Sequence, residues 1–326
     1  MSNYIMIIDG GTTNTRFTLL RDLASVASVT KKVGASNTSD SSGNKELERV
    51  VRETVAEMEA AHGCRIETIL ASGMITSNVG LVEVPHLEGP VVLEELARHI
   101  VPMELPQVAP HATFYFVPGI KFSDGGKYAQ DILRGEETEI YGEISPEDED
   151  KKLLFIHFGS HNKIILYTDR AITKTITTLS GELLWAIVNN TILKSSVCEM
   201  DQCVLDEQYV FMGYEAAGDL SFPRALFTAR IQQVMKNAEP QQAMSYVYGI
   251  LIHEDCEAFE PLLSEGAEKI YVYGRESFTE VFLLCLKKYF PVYADRIVRI
   301  GFEKSEKMSR SGLLKIYEDL KETTEL

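Results

Sequence analysis

A turn rich in glycine and threonine near the start of the chain carries the first residues that could do chemistry. Asp9 stands directly before Gly10, Gly11, Thr12 and Thr13, with apolar runs on both sides. The N–H and O–H groups of such a turn are donors for an anion, and a carboxylate at its mouth can hold a cation against that anion. The pattern predicts a strand–turn–strand hairpin that binds phosphate; an ordinary hairpin with an exposed Asp9 remains the alternative.

A second turn of the same kind begins the other half of the chain. Gly159, Ser160 and His161 lie between two apolar runs, and Lys163 follows. The repeat predicts a second anion-binding hairpin, to which Lys163 could add positive charge; a solvent-facing strand residue is the alternative for this lysine. None of the seven histidines has the HExxH spacing of a metal site. His161, which lies in the turn, is the only one with functional promise.

Two adjacent carboxylates, Glu136 and Glu137, follow Gly135 at the predicted start of a helix. A carboxylate in this place could accept a proton from a substrate, but it could also only stabilise the helix N-terminus, where the macrodipole favours negative charge. The loop from Ser72 to Gly80 leaves a short buried strand, and such loops carry ligands in parallel sheets. A polar surface loop is the alternative interpretation there.

The elements that must position these residues indicate an α/β protein. Each half of the chain begins with a predicted three-stranded meander and continues into helices, the last of them over Gly312–Lys321. The charged run from Glu147 to Lys152 indicates a solvated linker. We therefore expect two domains, residues 1–146 and 147–326, with a cleft for nucleotide and substrate between them.

Composition excludes several classes of protein. The 326 residues are 45% hydrophobic and 25% charged, as in soluble globular proteins, and the net charge of −16 argues against a nucleic-acid partner. The five cysteines lack CxxC spacing and predict reduced thiols. No apolar run approaches the ~18 residues of a membrane span, and neither a P-loop nor a GxGxxG motif occurs. We expect a cytoplasmic protein without a membrane partner and leave a homodimer open.

Seven short motifs carry a resemblance to a known family. They are DGGTTNTR (Asp9–Arg16), ASGMITSNVG (Ala71–Gly80), VPGI (Val117–Ile120), LRGEETEIYG (Leu133–Gly142), GSHNK (Gly159–Lys163), SGELL (Ser180–Leu184) and ALFTAR (Ala225–Arg230). In this order they resemble the motifs of 2-keto-3-deoxygalactonokinases (2-dehydro-3-deoxygalactonokinases), which belong to the superfamily of actin, hexokinase and the Hsp70 chaperones. The resemblance covers essentially the whole chain. It implies two actin-like (ribonuclease H-like) domains and transfer of the ATP γ-phosphoryl, with Mg²⁺, to the 6-hydroxyl of 2-keto-3-deoxygalactonate.

The resemblance also implies the residues of the nucleotide side. Asp9 would hold Mg²⁺. Donors to the phosphates would be Gly10, Gly11, Thr12, Thr13, Gly159 and Ser160, with Lys163 adding charge. Gly274 would let the backbone approach the nucleotide, although a strand-to-helix turn explains this glycine equally well.

The resemblance implies a second set of residues for the sugar acid. Ser77 and Asn78 would bind sugar hydroxyls, and Arg16 or Arg134 would bind the carboxylate, because arginine suits planar bidentate contacts better than lysine. Glu136 would accept the proton of the acceptor hydroxyl. Glu137 is the runner-up for that role and Asp131 a weaker rival.

Several departures from the family pattern fall on the nucleotide side. Relatives usually have Cys or Ser at the position of Asn162, and they tend to have Gly-Ala-Glu where this chain has His253-Glu254-Asp255. Arg275 and Glu276 follow Gly274 in place of small residues. Two alternatives to the active kinase therefore remain: a non-catalytic or nucleotide-sensing member of the same fold, and a kinase for a different sugar.

Overall fold

The computed structural model describes residues 3–35, 43–123, 130–200 and 203–324. The chain divides into two compact units. The first consists of Met1–Asp150, Asp169–Lys174 and Glu303–Leu326, and the second of Lys151–Thr168 and Thr175–Phe302. The units change over at residues 150 and 151, inside the predicted linker, and the C-terminal segment joins the first unit. The sequence-based division after residue 146 remains a prediction.

The helices and strands follow one another as a repeated α/β pattern. In chain order they are β1 (Tyr4–Gly10), β2 (Thr15–Arg21), β3 (Ala24–Lys31), α1 (Gly43–His62), β4 (Thr68–Gly73), β5 (Leu87–Glu88), β6 (Val91–Val92), α2 (Leu93–Arg98), β7 (Val101–Glu104), β8 (Thr113–Phe116), β9 (Ile120–Phe122), β10 (Asp131–Leu133), α3 (Glu136–Glu143), β11 (Leu153–Phe158), β12 (Asn162–Thr168), β13 (Ala171–Thr178), α4 (Ser180–Asn190), α5 (Glu207–Asp219), α6 (Phe222–Lys236), α7 (Pro240–Leu263), β14 (Lys269–Gly274), α8 (Glu276–Tyr289), β15 (Ile297–Arg299) and α9 (Phe302–Thr324).

The main sheet of the first unit has the strand order β3-β2-β1-β4-β8-β7. Strands β1, β2 and β3 form an antiparallel meander, whereas β1, β4 and β8 run parallel. Successive side chains of a strand alternate between the faces, so Met6 and Ile8 share a buried core with Leu47 of α1. Asp9 and Arg16, which are partners across the β1–β2 ladder, lie on the opposite face.

Helices α3 and α9 of the first unit approach each other closely through two glycines. A Cβ atom on Gly142 would lie 2.0 Å from the carbonyl oxygen of Met308, and one on Gly312 would lie 1.8 Å from that of Thr138. Only glycine fits backbones at this separation. The predicted start of the last helix at Gly312 was wrong: Gly312 lies inside α9, which begins at Phe302.

The sheet of the second unit repeats the arrangement, with β15-β14-β11-β12-β13 in that order. Strands β11 and β12 are antiparallel, and β11, β14 and β15 are parallel. Leu154 and Ile156 of β11 pack in one core with Val247 and Leu251 of α7, all of them fully buried. Helix α7 is therefore the central helix of this unit.

Both units thus have the actin-like, ribonuclease H-like topology, in which an antiparallel meander continues into parallel strands joined by helices. The predicted α/β class and actin-like fold are confirmed. Among the residues that the structure describes, no helix is long and apolar enough to cross a membrane.

Candidate functional site

The first glycine-threonine turn joins β1 to β2 and is closed by its own backbone. The N–H of Gly11 donates to the carbonyl oxygen of Asn14 at 2.8 Å. The carbonyl oxygen of Gly11 in turn accepts the N–H of Ala35 at 3.2 Å, after β3. Thr12 is partly exposed and Thr13 is exposed. Of the four predicted donors, Gly10 is the buried last residue of β1 and the N–H of Gly11 is used within the turn, so Thr12 and Thr13 are the accessible ones.

The ends of β1 and β4 lie side by side at this turn. Gly10 is the ladder partner of Gly73, and Asp9 that of Ser72. Gly73 has φ +78°, and a Cβ atom there would lie 2.4 Å from the carbonyl oxygen of Gly10. A Cβ atom on Gly135, with φ +113°, would lie 3.3 Å from the Cα of Gly73. The start of α3 is thus held against the carboxyl edge of the sheet, where parallel sheets bind ligands.

The two carboxylates at the start of α3 have different environments. Glu136 is partly exposed, and its Oε2 accepts the backbone N–H of Arg134 at 3.1 Å. Glu137 is 0% exposed, and its two carboxylate oxygens accept the N–H of Gly135 at 2.9 and 2.7 Å. Glu137 caps the helix from inside the protein, whereas Glu136 can reach a bound molecule.

Electrostatic effects connect these carboxylates to the first turn. Burial, with a smaller contribution from the charge of Glu136, raises the pKa of Glu137 to about 8. Burial also raises the pKa of Asp9, while the Arg16 guanidinium lowers it and the charge of Glu136 raises it again. Asp9, Arg16 and Glu136 therefore act on one another at this edge of the sheet.

The two predicted carboxylate-binding arginines are engaged by different partners. Arg134 is half-buried; its Nη1 donates to the carbonyl oxygen and hydroxyl of Thr76 at 2.7 and 2.5 Å, and its Nη2 donates to Val84 O at 2.9 Å and to the His86 ring. Burial is the main cause that lowers the pKa of His86 to about 4, so the ring is neutral and can accept. Arg16 instead forms an ion pair with Glu306 of α9, with 2.7 Å between Nη2 and Oε1.

The loop after β4 folds as a one-turn 3-10 helix followed by a tight turn. The N–H and Oγ of Ser77 donate to Met74 O at 3.1 and 2.7 Å, and the N–H of Gly80 donates to Ser77 O at 2.9 Å. Ser77 is buried, whereas Asn78 is exposed at the tip of the turn. Asp131, the weaker rival for the proton acceptor, lies on β10 and uses Oδ1 to accept the N–H of Ile132 at 2.7 Å.

The second glycine turn, Gly159–His161, joins β11 to β12 in the second unit. Gly181, the second residue of α4, packs against this turn: a Cβ atom there would lie 2.0 Å from the carbonyl oxygen of Gly159. The carbonyl oxygen of Ser160 accepts the N–H of Glu182 at 2.9 Å. His161 lies 3.3 Å from the carboxylate of the same glutamate. The start of α4 therefore supports the turn directly.

Gly274 and Lys163, also predicted for the nucleotide side, are both packed against other residues of the second unit. Gly274 ends β14 at φ +107°, and a Cβ atom there would lie 2.1 Å from Phe158 O. This close approach places Gly274 next to the strand that leads into the second turn. Lys163 is 6% exposed, and its ammonium donates to Thr177 at 3.0 Å. Its side chain is a buried strand residue, not the solvent-facing one that was the alternative.

A buried carboxylate that the sequence reasoning did not assign to the site lies behind the second turn. Asp255 of α7 is 0% exposed. Its Oδ2 accepts Asn162 Nδ2 at 2.7 Å, and its Oδ1 accepts the hydroxyls of Thr178 and Ser180 at 2.6 and 2.5 Å. Burial raises the pKa of Asp255, and these three donors oppose that shift. Two departures from the family pattern, Asn162 and Asp255, are therefore in contact with each other.

The structure places the predicted residues in each unit as follows. In the first unit Asp9, Arg16 and Glu136 act on one another electrostatically beside the first turn, and Arg134 binds the loop that carries Ser77 and Asn78. In the second unit Gly274 lies next to Phe158, the residue before Gly159 and Ser160, and Lys163 is on the other face of β12 from Asn162. Within the described residues there is no cluster of three or more His, Cys, Asp or Glu side chains arranged to hold a metal ion.

Comparison with solved structures supports the fold. A candidate 2-dehydro-3-deoxygalactonokinase from Sinorhizobium meliloti is 21% identical, with a TM-score of 0.76 over 99% of this chain and 98% of that one. Component A of (R)-2-hydroxyglutaryl-CoA dehydratase from Acidaminococcus fermentans is 11% identical, with a TM-score of 0.51 over 97% and 99%. A comparison with curated proteins gave no match.

The family follows from the sequence itself. Residues 9–315 match the model of the 2-keto-3-deoxy-galactonokinase family. This range contains the first turn, the start of α3, the second turn and most of α9, and thus every residue group described above. The chain therefore belongs to the 2-keto-3-deoxy-galactonokinase family and is a sugar-acid kinase.

Proposed function

We propose that this kinase transfers the γ-phosphoryl of ATP, in the presence of Mg²⁺, to the 6-hydroxyl of 2-keto-3-deoxygalactonate. One observation carries the proposal: Asp9, the Gly10–Thr13 turn and Glu136 lie at the carboxyl ends of the parallel strands β1 and β4, where Gly135 approaches Gly73 closely. A cation-binding carboxylate, phosphate donors and a proton acceptor are the groups that phosphoryl transfer needs.

The residues around Asp9 fit a magnesium ion. Mg²⁺ keeps several waters and is usually bound through one or two carboxylates plus substrate phosphates, so Asp9 with Glu136 nearby suffices without a larger cluster. The raised pKa of Asp9 reflects a carboxylate that burial and Glu136 disfavour in its charged form, and a cation would relieve both effects. When bound, Mg²⁺ would neutralise phosphate charge; Asp9 would hold and orient it.

Each glycine turn is a proposed phosphate site within its own unit. In the first unit the hydroxyls of Thr12 and Thr13 and the backbone N–H groups around them would donate to phosphate oxygens. In the second unit the hydroxyl and N–H of Ser160 would do the same, since the N–H of Gly159 already donates to Asn162 Oδ1, and Gly274 would leave room for the nucleotide. Lys163 is a weaker candidate, because its ammonium already donates to Thr177 from a buried position.

Glu136 is the proposed proton acceptor. The 6-hydroxyl oxygen forms a bond to the γ-phosphorus as the bond between that phosphorus and the ADP oxygen breaks, and Glu136 takes the hydroxyl proton. Partial exposure at the start of α3 lets its side chain reach the sugar. Glu137 is less suitable because it is buried and both its oxygens accept the N–H of Gly135.

The sugar acid would be recognised through its carboxylate and hydroxyls. Arg16 is the better of the two arginine candidates, since it is part-exposed and its ion-pair partner, Glu306, is itself at the surface. Both Nη atoms of Arg134 already donate to protein groups, so this residue would mainly hold the Ser77–Asn78 loop in place. Asn78, exposed at the tip of that loop, would bind a hydroxyl.

A substrate panel tests the proposal. Purified protein, ATP and Mg²⁺ would be assayed for ADP release with 2-keto-3-deoxygalactonate, with its stereoisomer 2-keto-3-deoxygluconate, and with a neutral sugar of the same length. We expect the highest kcat/KM with the galactonate derivative and phosphorus on its 6-oxygen by ³¹P NMR. Turnover with only one of the other sugars would assign that sugar as the substrate. No ADP release with any of them would overturn the catalytic proposal.

A further inference from the structure

The second glycine turn is held by a chain of buried hydrogen bonds that begins in the central helix of its unit. The N–H of Gly159 donates to Asn162 Oδ1 at 3.2 Å, and Asn162 Nδ2 donates to Asp255 Oδ2 at 2.7 Å. The backbone N–H of Gly159 can only donate, so it fixes which end of the Asn162 amide is the oxygen. The other end must then face an acceptor, and Asp255 supplies it.

The second oxygen of Asp255 holds the start of α4. Its Oδ1 accepts the hydroxyls of Thr178 and Ser180 at 2.6 and 2.5 Å. The residues directly after Ser180 contact the turn, through the close approach of Gly181 to Gly159 and the hydrogen bond from Glu182 to Ser160. One carboxylate therefore fixes the turn from two sides: through Asn162 and through the first residues of α4.

A carboxylate in this buried position lowers the stability of the unit unless hydrogen bonds compensate its charge. Asp255 lies in the middle of α7 and is 0% exposed, and a buried charge without partners would destabilise the unit. Three charge-assisted hydrogen bonds compensate it. Its three donors, Asn162, Thr178 and Ser180, lie beside the turn or at the start of α4, so the arrangement of these two segments is what the carboxylate stabilises.

We propose that Asp255 is a positioning residue for nucleotide binding, which acts through Asn162 and Ser180 to fix the Gly159–His161 turn in its phosphate-binding form. This inference rests on the proposed function, because the turn is a phosphate site only if the protein binds ATP. Asp255 itself touches neither nucleotide nor sugar. Fixing the turn in advance removes an ordering cost from binding, so its effect belongs on nucleotide affinity and not on sugar affinity.

Exchanging the two polar groups of the Asn162–Asp255 pair gives the sharpest test. In N162D two carboxylates face each other, so the amide that donates to Asp255 is lost and the pair stays in contact only by binding a shared proton. In the double variant N162D/D255N the amide and the carboxylate have changed places. The carboxylate now at position 162 can accept both the N–H of Gly159 and the amide at position 255, and the oxygen of that amide can still accept the two hydroxyls.

Two single variants at position 255 complete the set. D255N alone can keep every contact, because its amide oxygen can accept from Asn162 while its NH₂ group donates to the hydroxyl oxygens of Thr178 and Ser180. D255L removes the acceptor altogether and leaves Asn162 without its partner on α7. The two variants therefore separate the loss of charge from the loss of the hydrogen bonds.

The measurement is the Kd of a non-hydrolysable ATP analogue with Mg²⁺ by calorimetry, beside KM for ATP, KM for the sugar acid and melting temperature. N162D and D255L should weaken nucleotide binding roughly 10- to 100-fold, the size of a lost hydrogen bond to a charged group. The double variant should return to within a few-fold of the parent protein, as should D255N. KM for the sugar acid should not change. D206N is the matched control, because Asp206 caps α5 in the same unit through the N–H groups of Gln208 and Tyr209.

The outcomes separate this inference from the proposed function. A parent protein that does not bind the nucleotide overturns both. A parent protein that binds it, together with folded N162D and D255L variants of unchanged Kd, overturns the role of Asp255 alone. A lower melting temperature with unchanged Kd would mean that the network only stabilises the unit. If N162D and D255L do not fold, the double variant still decides: a folded double variant with a Kd more than tenfold above the parent value contradicts the inference.

Discussion

Glu136 and Glu137 are neighbours in α3, yet they accept N–H groups from different residues and differ in exposure. Glu136 Oε2 accepts from Arg134 at 3.1 Å and the side chain is partly open to solvent. Glu137 accepts from Gly135 with both oxygens, at 2.9 and 2.7 Å, and is 0% exposed. The sequence left both residues open for catalysis and for capping. Their different exposure and partners are the basis for proposing Glu136, and not Glu137, as the proton acceptor.

The first prediction compares Glu136→Gln with Glu137→Gln. If Glu136 accepts the substrate proton, its amide variant should lose roughly 10²–10⁴ in kcat, as for other general bases, with little change in melting temperature or in Kd for ATP. Glu137→Gln should keep kcat per folded molecule, because the amide oxygen of the new side chain can still accept the N–H of Gly135. Steady-state kinetics and thermal unfolding of both variants give the answer. A large kcat loss confined to Glu137→Gln would move the catalytic role one residue along, and no loss in either would return attention to Asp131.

The second prediction concerns pH and the stability of the first unit. Glu137 has a native pKa of about 8, against about 4.3 for an unperturbed Glu in an unfolded chain. Below about pH 4 both states hold the proton, so the residue does not affect stability. Between these pKa values the unfolded chain has lost the proton and the native state retains it, so stability falls as pH rises. Above the native pKa the destabilisation is complete and constant.

The variant Glu137→Gln lacks this titration and therefore serves as the reference for the parent protein. The free energy of unfolding from urea denaturation would be compared at pH 5, 6.5 and 8. We expect the parent protein to lose stability relative to Glu137→Gln at each step upward in pH. A difference that stays flat, or that grows in favour of the parent protein, would show that Glu137 is already ionised at pH 5.

The third prediction tests the cation role of Asp9. Asp9→Asn should preserve the fold, because the β1–β2 hairpin is closed by backbone hydrogen bonds on both sides of this residue. It should abolish Mg²⁺-dependent turnover, since loss of a metal-holding carboxylate affects the transition state more than the ground state. Turnover would be measured over a Mg²⁺ titration, with Asp22→Asn as the control at the other end of β2. Parent-like activity in Asp9→Asn would make Asp9 a plain turn residue.

Much of the fold could be predicted from the sequence because the signals are local. The apolar runs on both sides of Asp9 and of Gly159 indicated the two hairpins, and the repeat of meander and helices indicated the α/β class. The motifs also identified the edge of the sheet where Asp9 and Glu136 meet. Each of these conclusions depends on residues that are close together in the chain.

What the sequence did not predict depends on contacts between distant residues. Asn162 and Asp255 seemed to be separate departures on the nucleotide side, and nothing in the sequence indicates that residues 93 positions apart share a hydrogen bond. The last helix was predicted to begin at Gly312, but this glycine lies inside α9, where its missing side chain allows the close packing of α9 on Thr138 of α3. The partner of Arg16, Glu306, is equally hard to find because it is far away in sequence.

The last prediction uses that ion pair. Arg16 Nη2 lies 2.7 Å from Glu306 Oε1, with side chains 30% and 38% exposed, so a sugar carboxylate could take the place of Glu306 at little energetic cost. Arg16→Lys should raise KM for the sugar acid roughly tenfold, because a bidentate contact becomes a point charge, and should leave KM for ATP unchanged. Glu306→Gln removes the competing carboxylate and should lower KM for the sugar acid by up to about fivefold, the value of an exposed ion pair.

Arg49→Lys is the matched control for this experiment, because Arg49 also pairs with surface glutamates, Glu46 and Glu53, but on α1. It should change none of these constants. The neutral sugar of the same length, which lacks the carboxylate, should respond to neither Arg16→Lys nor Glu306→Gln. An unchanged KM in Arg16→Lys with a raised KM in Arg134→Lys would assign the contact to Arg134. Equal kcat/KM of the parent protein for the acid and the neutral sugar would mean that neither arginine reads the carboxylate.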